Sequence, residues 1–492
     1  MIRKTSCLLF GLLIACAAFA REEYTRTFDK TLTLQRGQHL FIEHKFGDVV
    51  IRTHPQPEIV LHALIHVSAG SLNEAKSYAD RIEILVEPSS SELSIRTRYP
   101  ESRTGVLNFR NVSYSVRYEI TMPETAPLEI RNGFGAVSVA GLKANSQITN
   151  SHCDIELRDC RGVQHLEDSF GSVRVLNNTG DVFVENTNGP VDASDISGAL
   201  SIRDRFASIN AARIAHGVTI VNNNGSVQVN ESGGAGTIRN SFGSVTVSNF
   251  HGDLTVNNAN GAVEAGHVDG AAELNTTFGQ VMFSYITRQL SIRANNSKIE
   301  GGHVGGPLNI VNSFGSVTVN DVQASHIQSG NGGITISKAG GAANVKTSFA
   351  PVEATDVSGL VSVQNQNGGV KVSRARGVQI VTSFSPVHVE AIDGPVQIEN
   401  RNGNVDAWTT ARGACQPVII HTSFSPIRVR LPTDASYRVY AKTSFAKIHT
   451  DFPLVVSGGL STDDLNGAIG SGACEMRLTD NNGAIEILKS GS

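Results

Sequence analysis

One tryptophan, four methionines and eight tyrosines in 492 residues leave little bulk for a thick core. Aromatic residues make up 6% of the chain and charged residues 17%, the latter below the roughly one quarter usual in soluble domains. The charges are nearly balanced, 41 Lys and Arg against 45 Asp and Glu, and no basic stripe runs along the chain. That argues against nucleic acid as a partner, because nothing would displace its condensed counterions. After residue 20 no run of 18 apolar residues occurs, so no further helix is built to span a bilayer. No glycine-rich phosphate loop opens a helix, the calcium-binding nonapeptide G-G-x-G-x-D-x-U-x is absent, and the cysteine spacing fits no standard zinc signature. Glycine is plentiful, at 48 residues, beside a hydrophobic content of 40%. Thin, Val-rich layers suit that composition.

The exceptional apolar run is the N-terminus, MIRKTSCLLFGLLIACAAFAREEY. Arg3 and Lys4 form a charged end, residues 5–19 the apolar run, and Ala18-Phe19-Ala20 a small-residue cleavage site, so residues 1–20 read as a signal peptide. Its removal moves the net charge from −4 to −6 and sends the chain out of the cytoplasm, to the periplasm, the cell surface or the outer membrane. Leu13-Ile14-Ala15-Cys16 also matches a lipobox, which would leave a lipid anchor at Cys16. Plain cleavage is preferred because the apolar run continues to Ala20, where a lipoprotein starts a polar tether. Cys153 is aligned with Val191 and Val227 and read as a buried free thiol; a Cys153–Cys160 bridge is the alternative in an oxidising compartment. Pairing among Cys153, Cys160, Cys415 and Cys474 stays open.

Residues 240–247 and 312–319 both read NSFGSVTV. The Phe recurs at Phe134, Phe170, Phe206, Phe242, Phe278, Phe314, Phe349 and Phe384, at intervals of 36 and then 35, before loosening to Phe424 and Phe445. Midway stand Asn188, Asn224, Asn260, Asn296, Asn331, Asn367 and Asn402. A fixed period of this size marks a solenoid or array. After Phe242, apolar residues fall at Val245 and Val247, then Leu254 and Val256, with Gly252 between; after Asn260 they fall at Val263 and Ala265, then Ala272 and Leu274, around Gly270. A spacing of two points both members of a pair to one face of a strand. Glycine at the corners supplies backbone angles that a side chain would forbid. One such strand cannot bury its apolar face, but a stack of them builds a continuous core. The expected fold is all-β: a parallel β-solenoid, a right-handed β-helix, of about 18 residues per turn over residues 131–492, with residues 21–130 as a β-rich N-terminal cap.

Eighteen residues per turn is preferred over 36, because two strands of about five residues and two corners of about four close a flattened loop across the ~10 Å between packed sheets. Phe and Asn corners then alternate up the stack. The choice bears on a metal site. His267 (AGHVDG) and His303 (GGHVGG) hold one template position, in the column that also carries Glu231. At 36 they would be neighbours, and a His-His-Glu column could bind an ion. At 18 they lie two turns apart, about 9.6 Å, too far to share one. No metal is expected, and the histidines are read as solvated turn residues.

Residues 21–130 differ in texture. LTLQRGQHLFIEHKFGDVVIRTH, ELSIRTRY and SYSVRYEITMP alternate as strands do, and SLNEAKSYADRIEILV, residues 71–86, carries the one helix-like stretch. Phe46-Gly47-Asp48-Val49 reads as an early, irregular turn. A cap is needed because an open solenoid end exposes strand edges and bare core. Near the other end YRVYAKTSFAKIHTDFPL breaks the period and NNGAIEIL returns to it. The N-G-x-V-x-V turns, with TSFAKIHTDFPL (443–454) and NGAIGSGACEMRLTDNNGAIEIL (466–488), resemble the bacterial putative-adhesin β-repeat family, a domain of unknown function related to the auto-transporter adhesin head called the GIN domain. The resemblance covers roughly residues 130–490. It implies a secreted or envelope-attached parallel β-solenoid with no catalytic residues to transfer. Phe at alternate corners departs from the family, which commonly has small polar residues there.

Polysaccharide lyases and hydrolases on β-helices need carboxylates, or Lys and Arg, clustered on one outer face. Glu399, Arg401 and Asp406, around one Asn-Gly turn, come nearest, and a solvated turn explains them. Trp408 is the sole Trp where sugar binding generally uses several aromatic platforms. The Asn markers read as turn formers bonding up and down the stack. No catalytic, cofactor-binding or metal residue is assigned. Three functions stay open. An adhesin-like envelope protein, binding an unknown envelope protein or glycan, is favoured because every strong feature serves stacking and secretion. A carbohydrate-active enzyme or glycan binder would show carboxylates shared by three or more neighbouring turns. An envelope-stress signalling accessory would co-purify with a membrane partner.

Overall fold

Val227, Val245, Val263 and Val281 lie one on the next in parallel register. In the strands that follow, Ile238, Val256, Leu274 and Ile292 do the same. The turn is therefore 18 residues and not 36. One-residue deletions explain the shorter intervals, as where Leu308 pairs with Ser325. The computed structural model describes residues 21–100, 112–410, 415–457 and 461–490; residues 1–20, read above as a signal peptide and including Cys16, lie outside them. The chain divides into two compact units, Met1–Arg161 and Gly162–Ser492.

In the second unit each turn gives one strand to each of two parallel sheets. Sheet 1 holds strands such as Val245–Phe250 and Val263–Val268, and sheet 2 strands such as Leu254–Asn260 and Ala272–Phe278. Val245, Val247, Leu254 and Val256 are buried, and each such side chain stabilises the fold by roughly 1.5–3 kcal/mol. Sheet 1 has a third inward position that a strict spacing of two conceals. Phe250, Val268 and Ile286 are fully buried, three residues after Val247, Ala265 and Phe283. Before each stands a residue in the left-handed region, Asn249, His267 and Tyr285, with φ of 53, 55 and 54°. This conformation is uncommon outside glycine. It inserts one extra outward residue, in the manner of a bulge, and returns the chain to the core. Two inward aromatic rings need compensation. Phe250 fills the space a side chain at Gly236 would take, and Phe283 that of Gly301.

In the first unit, Glu22–Thr33, Glu58–Ala69 and Ser113–Pro123 form an antiparallel sheet whose last strand runs parallel to Val49–His54. Val49–His54 also pairs with Val137–Ala140, and His39–Glu43 with Leu128–Phe134. The Phe46-Gly47-Asp48-Val49 stretch is thus a first parallel turn. The helix-like stretch within residues 71–86 is their first half. Leu72–Ala79 is helical, capped by Ser71, whose Oγ accepts from the Glu74 amide, while Glu83–Pro88 is a strand paired with Glu92–Arg98. The Ile-Leu-Val run suits a half-buried pleated surface, and pairing claims it. Cys153 is also corrected. It is exposed at φ 79°, 36 residues before Gly189 in the corner column, and the buried inward residue is Ile155. Cys160 is the buried free thiol, pushed up to about 11 by burial.

Towards the C-terminus the chain leaves sequential order. Met476 pairs with both Val418 and Val439, and Ile485 with both Ile427 and Ile448. The turn of Cys474–Thr479 and Ile485–Lys489 is therefore inserted between two turns that precede it in sequence. Asp464–Ile469 then runs antiparallel along Tyr437–Lys442 and covers that strand's other edge. A disulfide joins Cys415, just before the strand Val418–His421, to Cys474, the first residue of the inserted strand.

Two substitutions test this architecture. Val247→Asp puts an unpaired charge into the core, and a loss of several kcal/mol in urea unfolding is expected; a loss below about 1 kcal/mol would contradict the inward assignment. Replacing Cys415 and Cys474 together by Ser releases a loop of 59 residues, and a loss of up to roughly 4 kcal/mol is expected. An unchanged melting temperature would show that strand pairing alone holds the inserted turn.

Candidate binding edge

Sheet 2 passes to sheet 1 through the corner that carries the Phe and Asn markers. Two residues before each marker an inward polar side chain ends the strand: Asn222, Asn240, Asn258, Asn312, Asn365 and Asn400 are all buried. Each amide nitrogen donates to a carbonyl of the preceding turn, as Asn240 does to Gly225 (3.1 Å) and Asn258 to Gly243 (2.9 Å). Asn365 and Asn400 also donate to Gly368 and Gly403 in their own corners, at 2.7 and 2.9 Å. Buried corner carbonyls are thereby satisfied. The neighbouring glycines let the turns close: Gly243 and Gly261 have φ of 114 and 139°, and a Cβ at either would strike the carbonyl oxygen of Gly225 or Gly243. The sequence signal for this inner ladder is the first Asn of N-x-F-G and N-x-N-G, which sequence reasoning had merged with the visible outer markers.

With the corner held inside, the residue two places on turns outward. Phe206, Phe242, Phe278, Phe314, Phe349 and Phe384 are between 50% and 61% exposed. Phe242 pairs with Asn260, Asn260 with Phe278, Phe278 with Asn296 and Asn296 with Phe314. Rings therefore recur every second turn, about 9.6 Å apart. After Phe384 the spacing in sequence fails, but the alternation in space does not. Ser423 donates to the Arg401 carbonyl, which sets Phe424 on Asn402; Asn482 donates to Ser423, which sets it on Phe424; Ser444 donates to Asn481, which sets Phe445 on Asn482. The inserted turn supplies the missing Asn. Its side chain also donates to Ser423, at 3.2 Å.

Beside this edge, on the outer face of sheet 2, a groove of about 650 Å³ crosses the turns of Val311, Gln328, Lys346, Gln364 and Val381. Phe314 and Asn331 line its rim, and Lys346 is its one ionisable residue. Over residues 167–223 the same strip forms a smaller recess, about 390 Å³, with Glu167, Glu185, Arg203 and Asp204 in its walls. Asp204 holds a place in the inner Asn ladder. Burial pushes its carboxyl up to about 6, against the pull of backbone amides at Arg205, Ala207 and Phe206.

The other sequence-derived candidates separate. Glu399 lies on Val396–Asn400 in sheet 2, whereas Asp406 lies on Val405–Thr409 in sheet 1 and pairs with Arg430. Arg401 sits at the corner between them, and Trp408 is half-buried on sheet 1 beside Arg430 in register. They form no carboxylate cleft. His267 and His303 are two turns apart with Tyr285 between them, rings stacked at 4.8 and 4.5 Å. An ion shared by the two histidines would have to displace that tyrosine. Glu231 is two further turns away, beyond Asn249. The histidines are exposed but not simply solvated, and His303 also pairs with Asp321 at 2.7 Å.

A separate concavity of about 580 Å³ lies in the first unit, lined by His44, Lys45, Arg96, Arg98, Tyr99 and Arg131 among others. Its arginines are already paired, Arg96 with Glu43, Arg98 with Glu83 and Arg131 with Glu129. Burial pushes His44 down to about 4, so it is neutral near pH 7 and packs on Tyr118.

No protein-family model matches the chain, and no curated protein does either. Among solved structures it is similar to a "putative cell adhesion protein" from Clostridium sporogenes ATCC 15579, with 8% identity over 96% of this chain and 100% of that one and a TM-score of 0.14. It is also similar to a "putative adhesin" from Bacteroides fragilis NCTC 9343, with 12% identity over 59% of this chain and 98% of that one and a TM-score of 0.20.

Asp204 gives a pH test. Its pKa in the folded chain, about 6, lies above the unfolded value of about 3.9. The folded state therefore binds more protons in that window, and stability falls as pH rises through it. Asp204→Asn should raise the urea midpoint above pH 6 and leave it unchanged below pH 4. An equal effect at both pH values would refute the buried carboxyl.

Proposed function

We propose that this chain is an extracytoplasmic, adhesin-like β-solenoid without catalytic activity, which uses its Phe and Asn edge to hold a partner in the cell envelope or outside it. It would stand with the putative-adhesin β-repeat family that its turns and C-terminal stretches resemble. One observation carries the reading. The alternation of exposed ring and amide continues through Phe424, Asn482 and Phe445, although the inserted turn comes from 37 residues beyond Phe445. Copying a 36-residue unit accounts for the regular part of the edge but not for that repair. Exposed rings repeated along one edge lower solubility unless something covers them, which favours a covering partner. The signal segment and the Cys415–Cys474 disulfide support an oxidising location. The separation of Glu399 from Asp406 supports a non-catalytic role.

Changing Phe242, Phe278 and Phe314 together to Ala should leave circular dichroism and melting temperature unchanged while abolishing retention of the mature chain on envelope fractions. Undiminished retention would reject the edge as the binding surface. Turnover of a polysaccharide, lost on Glu399→Gln or Asp406→Asn, would reject the non-catalytic reading.

A further inference from the structure

Building on the reading of this edge as a binding surface, we infer that the groove beside Phe314 takes a neutral, extended, β-linked polysaccharide lying along the stacking direction. Charge decides the class first. Among the groove's side chains only Lys346 ionises, and the rest are Gln, Asn, Ser and Thr with Val311, Phe314 and Val381. An acidic polymer would find a single cation there, and a basic one no anion. The groove lies on the outer face of sheet 2 and not along a strand edge. Strands on either side of it are already hydrogen-bonded up and down the stack, so a peptide could not add by β-pairing. Its apolar side chains are separated by Gln328, Lys346 and Gln364, which breaks the continuous stripe that an amphipathic helix requires.

The chemistry present suits pyranose rings. An equatorially linked sugar offers flat C–H faces, which pack on an aromatic ring, and a rim of hydroxyls that both donate and accept. Amide side chains match that rim because each carries donors and acceptors together. Spacing adds a second criterion. Phe314 lines the groove, and Phe349 and Phe384 follow it along the adjoining edge every second turn, about 9.6 Å apart, close to the repeat of a disaccharide in an extended β-1,4 chain. Successive rings would then meet the same face of every second sugar, with Asn331 and Asn367 level with the sugars between. A coiled α-1,4 chain does not keep that period.

The test uses the mature chain on microcrystalline β-1,4-glucan and on chitin, with amylose and alginate as comparisons. Retention on the two β-linked matrices and not on the others is expected. Changing Phe314, Phe349 and Phe384 together to Ala should weaken it at least about tenfold, the order expected for lost ring contacts, with the melting temperature unchanged. Gln328→Ala with Gln364→Ala should weaken it less, and Glu264→Gln, on the outer face of sheet 1, not at all. No retention on either β-linked matrix, or equal retention on alginate, overturns the inference. Envelope binding separates the two ideas: if the triple Phe variant loses it while no glycan binds, the edge holds a protein and only the glycan assignment fails. If envelope binding also survives, the edge reading fails with it.

Discussion

An asparagine amide that bridges two turns fixes where this chain bends. Its nitrogen sits inside the corner and bonds a carbonyl of the turn before, as at Asn240, Asn258 and Asn312. Such a bond exists only if every turn places its corner above the last, so it enforces the 18-residue register. Thr276 and Thr347 keep the position with a hydroxyl that bonds a nearby carbonyl. Glycine beside the ladder admits the close approach of backbones that this stacking demands. The outward Phe or Asn two residues later follows from the same corner: one residue held in, the alternate one turned out.

In-register stacking also sets like positions on one another, which is hazardous for charge. On sheet 1 the chain meets this by alternation. Lys371 pairs with Glu353 and Arg428 with Glu486, each on an adjoining turn. In the left-handed column Arg213 holds Asp195 through two hydrogen bonds, at 2.6 and 2.7 Å, which keeps that carboxyl below its ordinary range. These exposed pairs add little stability. Their larger effect is to avoid rows of one sign. Sheet 2 uses the same device elsewhere, as where Arg203 pairs with Glu185 and Arg293 with Glu273; the groove near Phe314 needs none because only Lys346 in it ionises, and that local contrast is the main argument for where a neutral ligand would lie.

Both units contain antiparallel pairing next to parallel turns, for a common reason. A parallel stack ends in a row of unpaired amides and carbonyls that would recruit another chain. In the second unit the solution is to feed the C-terminal turn back between two earlier ones and lay Asp464–Ile469 along Tyr437–Lys442. A disulfide between distant cysteines fits that arrangement, because the insertion pairs strands that are remote in sequence and the cross-link lowers the entropy lost in bringing them together.

Much was legible in the sequence because a solenoid converts periodicity directly into contact. The 36-residue recurrence of Phe, with Asn midway, specified strands, inward Val positions and alternating corners, since each turn's neighbours are fixed by the turn length alone. The third inward position escaped because a left-handed residue changes the spacing from two to three, as between Val247 and Phe250. Cys153 was misplaced by two residues, since a corner column of mostly glycine gives no apolar signal against which to align it. Glu399 and Asp406 are near in sequence yet apart in space, because residues seven apart can lie on opposite sheets. What the sequence by itself determined was the local repeat and the faces of each strand. Only the tertiary structure decided that Asn482 stands between Phe424 and Phe445, and that Cys415 meets Cys474, because those contacts join segments whose order in space is not their order along the chain.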